Sequence, residues 1–382
     1  MARSTLGLDI GSSAVRAVAL AGGRTPSLVR GGAVELPRGA VEAGSVKNPR
    51  AVTEAVRTLW DQARLKGKDV RIGIGSGSVL VRQLELDWMP PADLRKALRF
   101  QVADLLPVSI NDANIDHITL DEYERHDAET DAPRRLVRIL LVATARGAVD
   151  EMVRCVQAAG LRPQVADLSA LGVVRAAARA GARAGQHAPT EAAIDIGSDK
   201  IAVAVHTAGR PHFVRVIAGV GGSLLTQAIV DRAGLSWAEA EQLKHACTLP
   251  QPAVAGVHPS YGAAGIAPGA AGTDTQTGAQ TDVVGQIVLE AARQLVAEVK
   301  ATLAFHNGSD QEHAPQRILL TGGGAALSGM SDLLGHTLGL PVQRLAPNDV
   351  LPRLGSGRGD LAHLASDPAM VVPLGLALAG GA

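Results

Sequence analysis

Two short stretches of this chain are nearly the same: Leu8-Asp9-Ile10-Gly11-Ser12-Ser13 at its start and Ile194-Asp195-Ile196-Gly197-Ser198-Asp199 near its middle. Each places one carboxylate at the end of an apolar run, and a second apolar run follows the turn. The copies are 186 residues apart, far more than the roughly 20–50 residues of a solenoid repeat. The pair therefore predicts two similar domains that face each other across a cleft, each contributing a turn and an acid.

The residues around the first copy predict a hairpin whose turn can bind a ligand. The aliphatic runs on either side predict two strands, and Gly11-Ser12-Ser13 between them predicts a tight turn. Glycine lets a ligand approach the main chain closely, and successive amides of such a turn can bind an anion. Asp9, at the end of its strand, is suited to hold Mg²⁺ directly or through water.

The second copy repeats this arrangement with Asp195, Gly197 and Ser198, followed by a predicted strand over residues 201–205. Either copy alone is as readily explained by an ordinary hairpin with an aspartate in its turn. Two copies, each at the start of a predicted domain, favour a paired grip on a phosphate chain and its metal.

Composition excludes several classes of protein. The 382 residues contain 37 Lys and Arg against 37 Asp and Glu, and only 2% aromatic residues. This balance argues against a general nucleic-acid binder, which usually has a basic face and stacking aromatics. Cys155 and Cys247 form no metal-binding spacing, which favours a reducing compartment. No signal peptide and no transmembrane helix are predicted, so we expect a cytoplasmic protein.

The pattern along the chain predicts a discontinuous first lobe. Residues 1–78 and 163–190 form its core, and residues 79–162 form a small α+β unit inserted into it. Residues 191–382 form the second lobe. Within the second lobe, residues 249–282 are rich in Ala, Gly, Pro, Thr and Gln and predict a disordered insertion, followed by an amphipathic helix over residues 283–305.

Two glycine runs lie between predicted strands and helices. They are residues 219–222 and Gly322-Gly323-Gly324, the second followed by a predicted helix over residues 327–338. Such junctions can present free amides at a helix N-terminus to a phosphate or a nucleoside, although a glycine run alone is more often only a loop. Glu241 and Lys244 lie on one face of a predicted helix, where a surface ion pair is the alternative interpretation.

Three of these motifs together resemble a known superfamily. Asp9-Ile10-Gly11, Asp195-Ile196-Gly197 and Gly322-Gly323-Gly324 are similar to the phosphate-1, phosphate-2 and adenosine motifs of the actin/Hsp70/sugar-kinase ATPases, in the same order. The resemblance implies an α/β actin-like ATPase fold of two lobes. Each lobe would have a βββαβα-type core, and the first would carry the small α+β subdomain of the FtsA and PilM type.

Within that superfamily the chain resembles the FtsA-like branch and most closely the PilM family of type IV pilus assembly proteins. Four stretches carry this resemblance besides the turns themselves. They are residues 6–15, the helix Leu98-Arg99-Phe100-Gln101-Val102-Ala103-Asp104-Leu105-Leu106-Pro107, the segment 158–163 with Asp167, and residues 221–244. One departure is that the chain ends without the basic amphipathic helix of FtsA.

The resemblance implies a role for each matching residue. Asp9 and Asp195 would organise Mg²⁺, and Asp167 falls near the residue that orients the attacking water, although a helix N-cap is an equal alternative for it. The remaining positions would contact ATP: Gly11, Ser12, Ser13, Gly197 and Ser198 at the phosphates, Glu241 and Lys244 at the ribose, and Gly322, Gly323, Gly324 and Ala325 at the adenosine. Lys200, Gly221 and Gly222 are further expected nucleotide-binding residues.

The resemblance also implies partners. The expected partner is the short cytoplasmic N-terminal segment of a PilN-like inner-membrane protein, bound in a groove beside the inserted subdomain, together with other pilus assembly proteins. Membrane contact would be indirect, at the inner face of the cell membrane, and nucleic acid is not expected. ATP hydrolysis and self-association stay open. The alternatives are an FtsA-like cell-division protein and a small-molecule kinase of the sugar-kinase type.

Overall fold

The computed structural model describes residues 4–22, 25–106, 108–126, 132–183, 185, 189–249, 275–352 and 360–378. Its strands are β1 Thr5–Ile10, β2 Ala14–Ala21, β3 Ser27–Glu35, β4 Val41–Glu42, β5 Ser45–Val46, β6 Asp69–Ile74, β7 Leu80–Asp87, β8 Ala113–His126, β9 Pro133–Ala145, β10 Arg162–Leu168, β11 Thr190–Ile196, β12 Lys200–Thr207, β13 Arg210–Ala218, β14 Arg317–Thr321 and β15 Val342–Arg344. Its helices are α1 Pro49–Gln62, α2 Pro91–Gln101, α3 Arg146–Ala158, α4 Ser169–Arg183, α5 Gly222–Ala233, α6 Trp237–Ala246, α7 Thr275–Ser309, α8 Met330–Leu338, α9 Pro347–Val350, α10 Asp360–Ser366 and α11 Val371–Leu378.

The two large sheets have matching topologies. The first has the strand order β10-β6-β1-β2-β3 and the second the order β13-β12-β11-β14-β15. In each, three antiparallel strands in sequence order pair through hairpins, and the first of them also pairs in parallel with a later strand. The equivalence of β1 with β11 and of β2 with β12 confirms the predicted α/β fold of two similar lobes.

Strand burial explains why these segments form sheets rather than helices. All seven residues of β11 are buried, and six of the eight residues of β2 are buried. Continuous burial of this kind is typical of strands that are covered on both faces. The short, branched side chains of these runs therefore build the centre of each lobe, and the turns that follow β1 and β11 lie at its edge.

The inserted unit has a three-stranded sheet of its own. Its strand order is β7-β9-β8, and α2 covers one face by packing Leu94 and Leu98 against Ile139 and Leu141. Helix α3, which the sequence analysis included in residues 79–162, instead contributes Met152 to the core of the first lobe. The boundary differs because α3 packs against α1, an element that precedes the insertion in the chain.

The last helix belongs structurally to the first lobe, although the sequence analysis assigned residues 191–382 to the second. Helix α11 is almost wholly buried and packs against α4 and β1. A Cβ on Gly375 would lie 1.9 Å from the carbonyl oxygen of Gly172, so α11 and α4 meet backbone to backbone. The segment Val371–Leu378 is therefore part of the first lobe's core.

The predicted disordered insertion at residues 249–282 falls mostly outside the described residues. At its first position Leu249 is buried and its N–H donates to the carbonyl of Ser328 at 2.9 Å. At its other end α7 begins at Thr275, eight residues before the predicted helix start. The prediction is corrected there because residues 275–282 contain no proline to stop the helix from extending. No helix within the described ranges is long and apolar enough to span a membrane.

Candidate functional site

The two Asp-Ile-Gly turns are closed in the same way. In the first, the N–H of Gly11 donates to the carbonyl of Ala14 at 3.0 Å, and in the second, the N–H of Gly197 donates to the carbonyl of Lys200 at 2.9 Å. Each aspartate is the second-last residue of its strand. The sequence prediction of two equivalent hairpin turns is therefore confirmed.

The structure brings the two aspartates together from opposite lobes. Burial and, to a smaller extent, the nearby charge of Asp9 raise the pKa of Asp195 to about 6, although Lys200 and Arg16 act to lower it. Two carboxylates and two cations therefore share one site. Arg16, on β2 opposite Asp9 in the strand register, was missed by the sequence analysis because a single arginine on a strand carries no local signal.

Polar contacts cross the cleft beside these aspartates. The carboxylate of Asp199 accepts hydrogen bonds from the Ser12 hydroxyl and from the backbone N–H of Ala43. The Lys200 ammonium donates to the carbonyl of Gly75 at 2.9 Å. Asp199 stood in the quoted second turn, yet nothing in the sequence showed that it reaches the other lobe.

A further cross-lobe contact lies near the helix pair α5 and α6. The Arg38 guanidinium donates to the side-chain oxygen of Gln227 at 2.9 Å and stacks over the Trp237 ring, 3.9 Å from its centroid. The two lobes are therefore joined at the turns and again at the outer edge of the cleft.

The third glycine run lies against the second aspartate. Gly322 has a φ of +84°, and a Cβ there would be 2.3 Å from the Asp195 carboxylate oxygen, so only glycine fits. The predicted helix N-terminus is wrong, however. A 3-10 turn over Gly323–Ala326 follows the strand, and α8 begins only at Met330, because Gly329 at a φ of +85° interrupts the chain first.

The glycine run before α5 also differs from its predicted role. The N–H groups of Gly222 and Ser223 donate to the carbonyls of Gly197 and Ser198 at 2.9 and 2.7 Å. These two amides therefore fix the second turn against α5 rather than facing a ligand. Gly221 makes the approach possible, since a Cβ there would lie 2.5 Å from the Ser198 carbonyl oxygen.

Glu241 and Lys244 form more than a surface ion pair. The Lys244 ammonium donates to Glu241 at 2.6 Å and to the Thr226 hydroxyl at 2.9 Å, and that hydroxyl donates to Glu241 at 2.6 Å. Hydrogen bonds from Lys244 and Thr226 lower the pKa of Glu241 against the opposing effect of burial. The ammonium also donates to the carbonyl of Gly222 at 3.3 Å, which ties α6 to the start of α5.

Asp167, which was predicted to orient the attacking water, is bonded to an arginine side chain. Asp167 accepts a hydrogen bond from Arg175, whose guanidinium also donates to the carbonyl of Gly375 at 3.1 Å. Two residues further on, Ser169 is 4% exposed, and its hydroxyl has no partner among the described residues. That hydroxyl and the Asp9 carboxylate both flank Gly73, at 2.6 and 3.3 Å from where its Cβ would be. The sequence analysis missed Ser169.

The donor set fits a metal-bound phosphate chain. Carboxylate oxygens are the protein ligands that Mg²⁺ prefers, and Asp9 and Asp195 present them from two sides. Lys200 and Arg16 supply positive charge beside them. The glycines of both turns and of the third run keep side chains away from the space between.

Comparisons with known proteins show which families and folds this chain is similar to. The family model for the type IV pilus assembly protein PilM matches residues 7–261, and the model for the cell division protein FtsA matches residues 192–375. A PilM-PilN type IV pilus biogenesis complex has 23% sequence identity and a TM-score of 0.79, with 100% of both chains covered. The ethanolamine utilization protein EutJ from Carboxydothermus hydrogenoformans has 15% identity and a TM-score of 0.54, with 98% of this chain and 90% of that chain covered.

The family assignment depends on the first of these matches. The PilM model covers about two thirds of the chain, including the first lobe, the inserted unit and the second turn. The FtsA model covers only the second lobe and part of α11. The structural similarities establish the actin-like fold, and the family match establishes membership: the chain belongs to the PilM family of type IV pilus assembly proteins.

Proposed function

We propose that this protein binds Mg-ATP between its two Asp-Ile-Gly turns. The observation that carries the proposal is the meeting of Asp9 and Asp195 from matching turns of opposite lobes, with burial raising the pKa of Asp195 to about 6. An uncompensated buried carboxylate pair is costly, and a divalent cation offsets that cost.

The proposal gives each neighbouring group a task. Asp9 and Asp195 hold Mg²⁺, which neutralises the phosphate oxygens when bound. The two turns, Lys200 and Arg16 bind the phosphates. For the rest of the nucleotide, Glu241 and Lys244 contact the ribose and residues 322–325 contact the adenosine, while Gly221 and Gly222 let the start of α5 approach the second turn.

We expect the protein to bind ATP but to hydrolyse it slowly. A water-orienting group must reach the terminal phosphate, and the carboxylate of Asp167 is committed to Arg175. Ser169, with its unpartnered hydroxyl beside Asp9, is better placed but is neutral and a weak base. A steady-state phosphate-release assay on the wild type, Asp167→Asn and Ser169→Ala tests this, and a rapid rate abolished by Asp167→Asn would contradict it.

Calorimetry tests the nucleotide site. Asp9→Ala and Asp195→Ala should each weaken Mg-ATP binding by roughly 10–100-fold, the loss expected for a charged contact worth about 1.5–3 kcal/mol. Glu298→Ala, which removes an exposed acid from α7, serves as the control and should bind like the wild type. Unchanged affinity in both aspartate variants would overturn the site.

We further propose that the inserted unit binds the cytoplasmic N-terminal segment of a PilN-like inner-membrane protein. Phe100 on α2 is 85% exposed, which is unusual for a large apolar side chain. Next to it, Gln101 lines a cleft of about 390 Å³ whose wall carries Glu85, Asp87 and Arg134. An apolar anchor beside mixed charges suits a short peptide with both kinds of side chain, and such binding would hold the protein at the inner face of the membrane.

A peptide-binding assay tests this partner. Phe100→Ser should weaken binding of a PilN-type N-terminal peptide by roughly tenfold or more, since buried aromatic anchors are worth at least about 2 kcal/mol. Phe305→Ser is the matched control, because Phe305 is 64% exposed but lies on α7 of the other lobe. If both variants bound the peptide like the wild type, the surface assignment would be wrong.

Nucleotide and peptide binding are proposed to be linked. The inserted unit is attached to the first lobe, which also forms one side of the nucleotide cleft. Closure of the two lobes around Mg-ATP can therefore change the surface that the inserted unit presents to the peptide. Linkage is reciprocal: any factor by which Mg-ATP changes peptide affinity must equal the factor by which the peptide changes ATP affinity. Measuring both factors tests the proposal. If neither ligand changed the affinity of the other, nucleotide binding and peptide binding would not be linked.

A further inference from the structure

A second cluster of potential metal ligands lies far from the cleft. His212 stands near the start of β13, and Asp310 and His313 lie just after the end of α7. One ligand atom from each residue lies within 4.8 Å of the others. The cluster is at the opposite end of β12 from Lys200, roughly 23 Å away for seven residues of strand, so it is separate from the nucleotide site.

Hydrogen bonds already orient the ligand groups. Nε2 of His212 is 3.0 Å from the Thr207 hydroxyl, which is 2.9 Å from the Thr190 hydroxyl. This fixes the ring and leaves Nδ1 of His212 for a ligand bond. In metal sites the second ring nitrogen is ordinarily anchored in this manner, which sets the orientation of the ring.

The other two groups are held against each other. Nδ1 of His313 is 2.9 Å from both carboxylate oxygens of Asp310. The peptide between them is anchored as well, because the N–H of Asp310 donates to the carbonyl of His306 at 2.8 Å, and Nε2 of His306 is 3.0 Å from the carbonyl of His313. The segment 310–313 is thus a short rigid loop that presents an imidazole and a carboxylate to β13.

The surroundings favour neutral imidazoles. The rings of His212 and His313 stack with centroids 3.7 Å apart, an arrangement that two charged rings would oppose. Because an imidazole lone pair lies in the plane of its ring, the His313 ring must turn out of this stack about its own side-chain bonds when both residues bind the same ion. Beneath the cluster, His206 is 0% exposed, and neither of its ring nitrogens has a hydrogen-bond partner among the described residues.

We propose that His212, Asp310 and His313 bind a zinc ion that clamps the end of α7 to β13. Two imidazoles and one carboxylate are a recognised ligand set for Zn²⁺, with a fourth position left for water. Mg²⁺ does not suit this set, because it prefers oxygen ligands. Asp310 and His313 are partly exposed, with 21% and 25% of their side-chain surface accessible, so an ion can enter from solvent.

The test is a zinc titration of the tag-free, EDTA-treated protein by calorimetry. The wild type should bind one Zn²⁺ per chain, and excess MgCl₂ should not compete. Asp310→Asn and His313→Ala should each weaken zinc binding at least tenfold, while Asp195→Asn, in the nucleotide site, should leave it unchanged. His336→Ala is the matched control, since His336 is exposed on α8, and it should bind like the wild type.

Folding must be separated from binding. Asp310→Asn keeps the size of the side chain, and circular dichroism of the zinc-free variants will show whether they are folded. A wild-type protein that binds no zinc, or a loss in His336→Ala equal to that in His313→Ala, overturns the proposal. Zinc should also raise the thermal unfolding temperature of the wild type and leave that of His313→Ala unmoved.

Discussion

The turns after β1 and β11 share the same closing hydrogen bond but differ in how deeply their aspartates are buried. Both are closed by a hydrogen bond from the turn glycine, at 3.0 Å in the first and 2.9 Å in the second. Asp195 is only 9% exposed, whereas Asp9 is half-buried. Four residues after each aspartate stand Asp199 in the second turn and Ser13 in the first, and only Asp199 crosses to the other lobe.

This difference shows how a duplicated turn can serve two roles. The first turn offers a hydroxyl from Ser12, and the second accepts it with Asp199. The second turn is also backed by α5, whose first amides bond to its carbonyls. One lobe therefore supplies the donor of this cross-lobe bond, and the other supplies the acceptor four residues after the buried Asp195. Each of the following experiments changes one side of that comparison.

The largest effect is expected from Asp195→Asn. A raised pKa means that the native state holds the proton more tightly than the unfolded state does. The stabilisation from this group is therefore complete below about pH 4 and is lost as the pH rises through about 6. At pH 7.5 the ionised group costs about 3 kcal/mol, so the uncharged variant should unfold at higher urea there and show no such gain near pH 4.

Asp9→Asn is the matched variant for that measurement. It removes the repulsion between the two carboxylates but leaves the burial of Asp195, which is the larger cause of the shift. We expect it to stabilise the nucleotide-free protein by less than Asp195→Asn does. Equal stabilisation by both variants would show that the two turns are electrostatically alike, and destabilisation by Asp195→Asn at pH 7.5 would contradict the raised pKa of that group.

A smaller effect is expected from Asp199→Ala, which removes the cross-lobe acceptor. Losing the bonds from Ser12 and Ala43 should cost about 2 kcal/mol, because charge-assisted hydrogen bonds are worth roughly 1.5–3 kcal/mol each and these are only partly buried. Hydrogen exchange should speed up at the amide of Ala43. Glu298→Ala removes a charge without a cross-lobe contact and should leave that amide as protected as in the wild type.

Thr226→Val tests the hydrogen bonds that join α6 to α5, the helix that packs on the second turn. Their loss should lower the free energy of unfolding by about 1 kcal/mol. The buried hydroxyl of Thr226 joins Glu241 to Lys244, and its loss should weaken Mg-ATP binding roughly fivefold. Thr226→Ser keeps the hydroxyl and should bind ATP nearly as the wild type does. If Ser and Val had the same effect in calorimetry, the methyl group rather than the hydrogen bond would be the important part.

Local patterns in the sequence predicted the parts of the fold that depend on local physics. The hairpins around Gly11 and Gly197 follow from aliphatic runs that flank a glycine turn. Ser236 and Glu239 form the capping box that starts α6, a motif that is defined by a spacing of three residues. Such features are set by residues only a few positions apart and are therefore readable from one sequence.

Features that depend on the closed structure were not readable. Gly322 is required because Asp195 lies 2.3 Å from where its Cβ would be, a contact made by distant parts of the chain. Asp199 reaches the first lobe because the fold brings the two turns together, and α11 packs on α4 because Gly375 and Gly172 allow the helices to touch. Neither hydropathy nor spacing could tell whether Asp167 or Ser169 faces Asp9.

The smallest effects are expected from Gly11→Ala and Gly197→Ala, and they should be equal. A Cβ at Gly11 would lie 3.2 Å from the Ala14 carbonyl oxygen, and one at Gly197 would lie 3.1 Å from that of Lys200. Neither glycine has a positive φ, so each substitution should cost less than about 1 kcal/mol in urea unfolding. Gly221→Ala should cost more, because its Cβ would lie 2.5 Å from the Ser198 carbonyl oxygen. A much larger loss at Gly197 than at Gly11 would mean that contact with α5 has made the second turn rigid, so that the shared backbone no longer implies shared tolerance.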